Sequence, residues 1–176
     1  MEVRNHLPSD AKKPKCLFIG PSSEKNSPAG ERFKVIYDSI VEPVAQAFGM
    51  EAEDALCDRP RVITPAMFRQ IRRAQVIVAD VSGGDTCVTY ALAFAHSLAR
   101  CTVFVTNENG NLAFDLEGMH YLRLDHEDPE SIRRAKDQLT THLSEFADLG
   151  WISVANPFFH AAFALTHSAA VGNDAS

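Results

Sequence analysis

The chain has 176 residues, of which 45% are hydrophobic and 23% charged, and a formal net charge of -6. These figures fit one globular domain long enough to bury a core, and they exclude an intrinsically disordered chain. The acidic balance argues against wholesale binding to a nucleic-acid polymer, which needs a basic stripe; the densest basic cluster, Arg69, Arg72 and Arg73, has the spacing of one solvated helix face.

In chain order, residues 1–14 are polar and read as a flexible N-terminal segment. Residues 16–19, Cys-Leu-Phe-Ile, form a short apolar run, and Gly20-Pro21-Ser22-Ser23 ends it in a turn. Phe33, Ile36, Tyr37, Ile40, Val41, Val44 and Phe48 then recur at three and four residues, the mark of one apolar helical face. Pro43 should kink or shorten that helix, and Gly49 suits its C-cap. Residues 50–56 are a weaker second strand. Thr64 can cap a helix that opens with Pro65 and runs to about Ala74.

Residues 76–79, Val-Ile-Val-Ala, are continuously apolar, as a strand covered on both faces should be, and they end at Asp80. After Val81-Ser82-Gly83-Gly84, Asp85 reads as the N-cap of a helix over 86–98. Residues 102–106 are the next strand, 107–118 a turn-rich loop and 119–124 a short last strand. Asp128-Pro129 opens a final helix with Ile132, Ala135, Leu139, Leu143 and Phe146 on one face. Alternating strands and helices imply a three-layer α/β sandwich of the flavodoxin/Rossmann-like type. Its central parallel sheet has about five strands, with 16–19, 76–79 and 102–105 inside. The domain then spans 15–150, followed by an apolar extension and tail over 151–176.

Cys16, Cys57, Cys87 and Cys101 include no CxxC pair, and no His-x-x-x-His accompanies them, so zinc is not expected. His120, His126, His142, His160 and His167 show no ligand spacing. The absence of an apolar leader or a membrane-length run in these residues points to a cytoplasmic protein with reduced thiols. Phe158, Phe159 and Phe163 suit either core packing or a homo-oligomer contact.

In a parallel sheet, ligands bind outside the carboxyl ends of the strands. Residues 20–23, 80–85 and 107–115 converge there. The first of these has hydroxyls and a glycine suited to phosphate or ribose, and also to a plain turn. The densest information is the run Asp80-Val-Ser-Gly83-Gly84-Asp85-Thr-Cys-Val-Thr-Tyr90-Ala91, in which two carboxylates flank a glycine pair before a helix.

This run resembles the nucleoside 2-deoxyribosyltransferase-like family, whose members carry a strand ending in Ala-Asp, a short loop and a Tyr-Glu-Leu-Gly-x-Ala helix start. The likeness extends to the first strand, to Tyr37-Asp38-x-Ile40-x-x-Pro43 and to Ala113-Phe114-Asp115-Leu116-x-Gly118. The resemblance implies a protein acting on the base–sugar bond of a nucleoside or nucleotide, with no cofactor. In the family the motif Glu attacks the anomeric carbon, and a carboxylate six residues earlier orients or protonates.

Carried over by position, the second carboxylate is Asp85, Tyr90 stands beside the reacting centre, and the nucleophile position holds Ala91. Alanine carries no lone pair or charge, so the resemblance implies a transferase or N-glycosidase fold without its nucleophile. Gly20, Pro21, Ser22, Ser23, Asp80, Gly83, Gly84 and Asp115 would line the substrate site. Two alternatives stand beside this reading: a nucleotide-binding sensor or regulatory module that never cleaves, and a TIR-like NAD-cleaving domain. Each residue also has a plain structural role. Asp85 can be only a cap, Tyr90 only a core residue, and Asp80 must find a partner wherever it is buried.

Overall fold

The computed structural model describes residues 13–21, 27–55, 64–107 and 119–151. Five strands form one sheet: β1 (Lys15–Ile19), β2 (Glu51–Ala55), β3 (Val76–Asp80), β4 (Cys101–Thr106) and β5 (His120–Arg123). They lie in the order β2-β1-β3-β4-β5, and every pairing is parallel. The three strands expected inside the sheet are the inner three.

Their side chains alternate between two cores. Cys16, Phe18, Val76, Val78, Val103 and Val105 face one side, where α1 (Pro28–Ile36), α2 (Glu42–Ala47) and α5 (Pro129–Asp148) lie. Leu17, Ile19, Ile77, Ala79 and Phe104 face the other, against α3 (Pro65–Arg73) and α4 (Thr86–Ser97). Burial on both faces explains the apolar runs of β1 and β3 and the Val-Phe-Val centre of β4. The edge strand β2 carries Glu51, Glu53 and Asp54, charges that discourage further edge pairing. Lys15 ion-pairs with Glu51 and Glu53 on it.

Pro43 does not end the helical run. The chain passes from α1 through a π-helical segment, Tyr37–Val41, directly into α2, with Pro43 in the first turn of α2. There the Glu42 N–H bonds to the Tyr37 carbonyl, five residues back. That wider turn accommodates a residue with no N–H to give and a ring that clashes with the carbonyl four residues back. Gly49 follows at φ +69°, as a helix-ending glycine should.

Cys16, Cys87 and Cys101 are buried in the core, and burial pushes the Cys16 thiol up to about 12. Arg69, Arg72 and Arg73 are exposed. Among the described residues no helix is long and apolar enough to cross a membrane. Cys57, residues 1–12 and the Phe-rich segment 152–176 lie outside the described residues.

His96, on α4, is 3% exposed and hydrogen-bonds with Thr102 of β4 at 3.0 Å. Burial pushes its pKa down to about 4 from an ordinary 6.5. The folded state therefore holds His96 neutral where the unfolded chain would protonate it. Stability from this group is complete above pH 6.5 and falls as pH drops toward 4, by up to about 3 kcal/mol. In urea unfolding across that window, His96→Gln should flatten the wild-type slope. An unchanged slope would show that His96 does not carry it.

Candidate functional site at the carboxyl ends of β1 and β3

Connections leave β1 toward β2 on one side and return across it to β3, so the strand order reverses between β1 and β3. A crevice forms outside the carboxyl ends at such a reversal. The strand ends that meet at this reversal are Ile19-Gly20 from β1 and Asp80 from β3, because Ile19 pairs in register with Ala79. Gly20 has a packing reason to be glycine. A Cβ there would come within 2.4 Å of the ring of Phe33, which α1 lays over the strand end and whose centroid is 4.7 Å from that of Phe18. Pro21 follows at the rim, half-buried, while Ser22 and Ser23 lie outside the described residues.

Asp80 is 1% exposed and is not open to a ligand. Arg32 of α1 donates to it twice, Nε to Oδ2 at 2.9 Å and Nη2 to Oδ1 at 3.5 Å. The Ser82 backbone N–H adds a third bond at 3.1 Å. Arg32, itself 7% exposed, also donates to the Leu124 carbonyl after β5 at 3.3 Å and to Ser82 Oγ at 3.0 Å. One buried ion pair thus ties α1, β3, the loop after it and the end of β5. Arg32 is absent from the sequence reading. A signal for it existed: it stands four residues before Ile36 and eight before Ile40, on the stripe that faces the sheet.

Beyond Asp80 the loop turns through a single 3-10 turn, Ser82–Gly84. Gly83 (φ +76°) and Gly84 (φ +67°) are both left-handed and both exposed, a conformation that favours glycine. Asp85 caps α4 as expected, its Oδ1 accepting from the Cys87 and Val88 N–H groups at 2.8 and 3.1 Å. The cap has a cost for anion binding. Those two N–H groups already face a carboxylate, so they are not free donors for a phosphate. Two of the roughly four acceptor positions of the carboxylate are used, leaving capacity for hydroxyl donors.

Tyr90 and Ala91 part company. Tyr90 is 57% exposed and meets Phe68 of α3 edge-on, with ring centroids 6.2 Å apart. Ala91 is fully buried, in the apolar cluster with Ile19, Ala79, Val88 and Leu92 beneath α4. The structure thus brings Gly20, Pro21, Asp80, Gly83, Gly84 and Asp85 to one end of the sheet, with Asp80 beneath the surface. Position 91 faces the core. Asp115 and the motif around it lie outside the described residues.

No protein-family model matches the chain, and no curated protein matches it in sequence. Among solved structures, the metal-soaked flavodiiron core from Synechocystis sp. PCC6803 is similar over 79% of this chain, with 12% identity and a TM-score of 0.50. This chain covers 37% of that one. At such identity the likeness shows the fold alone, a five-stranded parallel α/β sandwich. A 2-desoxiribosyltransferase from Leishmania mexicana matches over 73% of this chain and 99% of its own, with 16% identity and a TM-score of 0.41. An overlap that low carries no argument.

The buried pair yields a direct test. Arg32→Met leaves the Asp80 carboxylate buried without its cation and should cost roughly 3–5 kcal/mol in denaturant unfolding. Arg32→Met combined with Asp80→Leu removes both charges and should recover most of that loss. A single variant as stable as wild type would contradict the contact.

Proposed function

We propose that this domain binds a nucleoside or nucleotide across the carboxyl ends of β1 and β3, and holds it without cleaving the base–sugar bond. The observation that carries the reading is Asp85. It stands half-buried on the rim of the switch-point crevice, fixed by two backbone N–H groups, with acceptor capacity to spare. A carboxylate held this way suits the paired hydroxyls of a ribose. The exposed, left-handed Gly83 and Gly84 leave the backbone beside it open to close approach. Because the Cys87 and Val88 N–H groups in the first turn of α4 are already occupied by Asp85, the sugar is the recognised element at this rim. Any phosphate would find its donors elsewhere.

The family resemblance supports the choice of ligand class, through the Ala79-Asp80 strand end, the six-residue spacing from Asp85 to position 91 and the Tyr90-Ala91 pair. The non-cleaving part rests on position 91. Alanine offers no nucleophile, and this position lies in an apolar cluster rather than on the rim.

Calorimetry with a panel of nucleosides and nucleoside monophosphates tests both parts. Asp85→Ala should lose the cap, costing about 1 kcal/mol of stability, and at least about tenfold in affinity. Asp85→Ser should restore the cap but not the affinity. Asp148→Ala, an exposed carboxylate at the far end of α5, should change neither. Ala91→Glu buries a carboxylate, and it should destabilise by about 3 kcal/mol or more and release no base. Full affinity in Asp85→Ser would make Asp85 a cap only, and base release by Ala91→Glu would overturn the non-cleaving reading.

A further inference from the structure

At the β5 edge of the sheet, two histidines that are 22 positions apart in sequence come together. His120 is the first residue of the edge strand β5. His142 lies in the second half of α5, which packs on that strand, and Glu145 is one turn further on the same helix face. The two imidazole rings have centroids 4.3 Å apart, and His142 Nδ1 is 3.3 Å from Glu145 Oε2. One ligand atom from each of the three residues lies within 4.8 Å of the others.

We propose that His120, His142 and Glu145 form a binding site for a late first-row divalent cation of the zinc class, with three protein ligands and a fourth position open to water. Two imidazoles and one carboxylate are a donor set that suits zinc and its neighbours. Tetrahedral bonds of 2.0–2.2 Å place donor atoms about 3.3–3.6 Å apart. The His142–Glu145 separation already meets that spacing, and the separations within the trio do not exceed 4.8 Å.

The backbone is firmly placed for such a site. α5 is held by Ala135, Leu139, Leu143 and Phe146, all buried, and the Phe146 ring meets His120 edge-on at 5.0 Å. Both histidines are half-buried, whereas Glu145 is exposed and leaves a route for the ion. A bound ion would clamp the edge strand to the last helix. The site lies on the edge strand, two strands away from β3, and it does not depend on the nucleotide reading.

The alternative is a His–Glu contact beside tilted and edge-on aromatic rings with no affinity for metal. Calorimetric titration of the chelator-treated full chain with Zn2+ separates the two, with Co2+ as a spectroscopic probe. The expected result is one saturable equivalent, visible d–d bands of tetrahedral Co2+, and a metal-dependent rise in Tm. His120→Ala and His142→Ala should each weaken Zn2+ binding at least tenfold and abolish the bands. His126→Ala, on the loop before α5, should leave both unchanged. The absence of saturable binding at micromolar metal would overturn the proposal. So would binding that survives both cluster variants, since the ion would then sit elsewhere on the chain.

Discussion

A carboxylate at the end of a buried strand is expensive to hide, and Asp80 is hidden almost completely. The guanidinium of Arg32 makes this possible, and much else in the fold follows from that contact. Because Arg32 belongs to α1, pairing draws that helix over the carboxyl ends of the strands, where Phe33 closes on Gly20. Because Arg32 also donates to Leu124 and Ser82, the same side chain fixes the chain beyond β5 and the loop leading to Asp85. The rim of the crevice is therefore built on a buried charged network rather than on a flexible loop. Such networks are poor sources of net stability but demand one geometry.

Much of this was legible in the residues. The inner strands announce themselves as apolar runs, and the caps at Thr64, Asp85 and Asp128 stand where the hydrogen bonds place them. Around Pro43 the helical run continues through a π-helical segment, and local sequence does not show that a wider turn will absorb the proline. The Arg32–Asp80 pair joins positions 48 apart, and only tertiary structure brings them together. The same holds for His120 and His142, whose separation in sequence matches no ligand spacing. Position 91 is different. Val88, Ala91, Leu92 and Ala95 form the three-and-four stripe of a buried helix face, so its burial could be read directly. The motif resemblance outweighed that stripe.

Two places on the sheet thus offer different chemistry. The carboxyl ends of β1 and β3 present glycines, a fixed carboxylate and a topological reversal, features that suit a sugar-bearing ligand. The β5 edge gathers imidazoles and a carboxylate on β5 and α5, a donor set for a soft-to-borderline cation. Between them lies a core packed on both faces, in which His96 and the three buried cysteines are structural.

The central proposal is that a nucleoside docks at the carboxyl ends of β1 and β3. Amide chemical-shift mapping by two-dimensional NMR, titrating a nucleoside into the uniformly nitrogen-15-labelled chain, reads this residue by residue. Saturable shifts should concentrate on Gly20, Gly83, Gly84 and the first turn of α4, and leave His120 and the second half of α5 unmoved. Saturable shifts confined to the β5 edge of the sheet, or no shifts with any nucleoside or nucleotide at millimolar concentration, would contradict it.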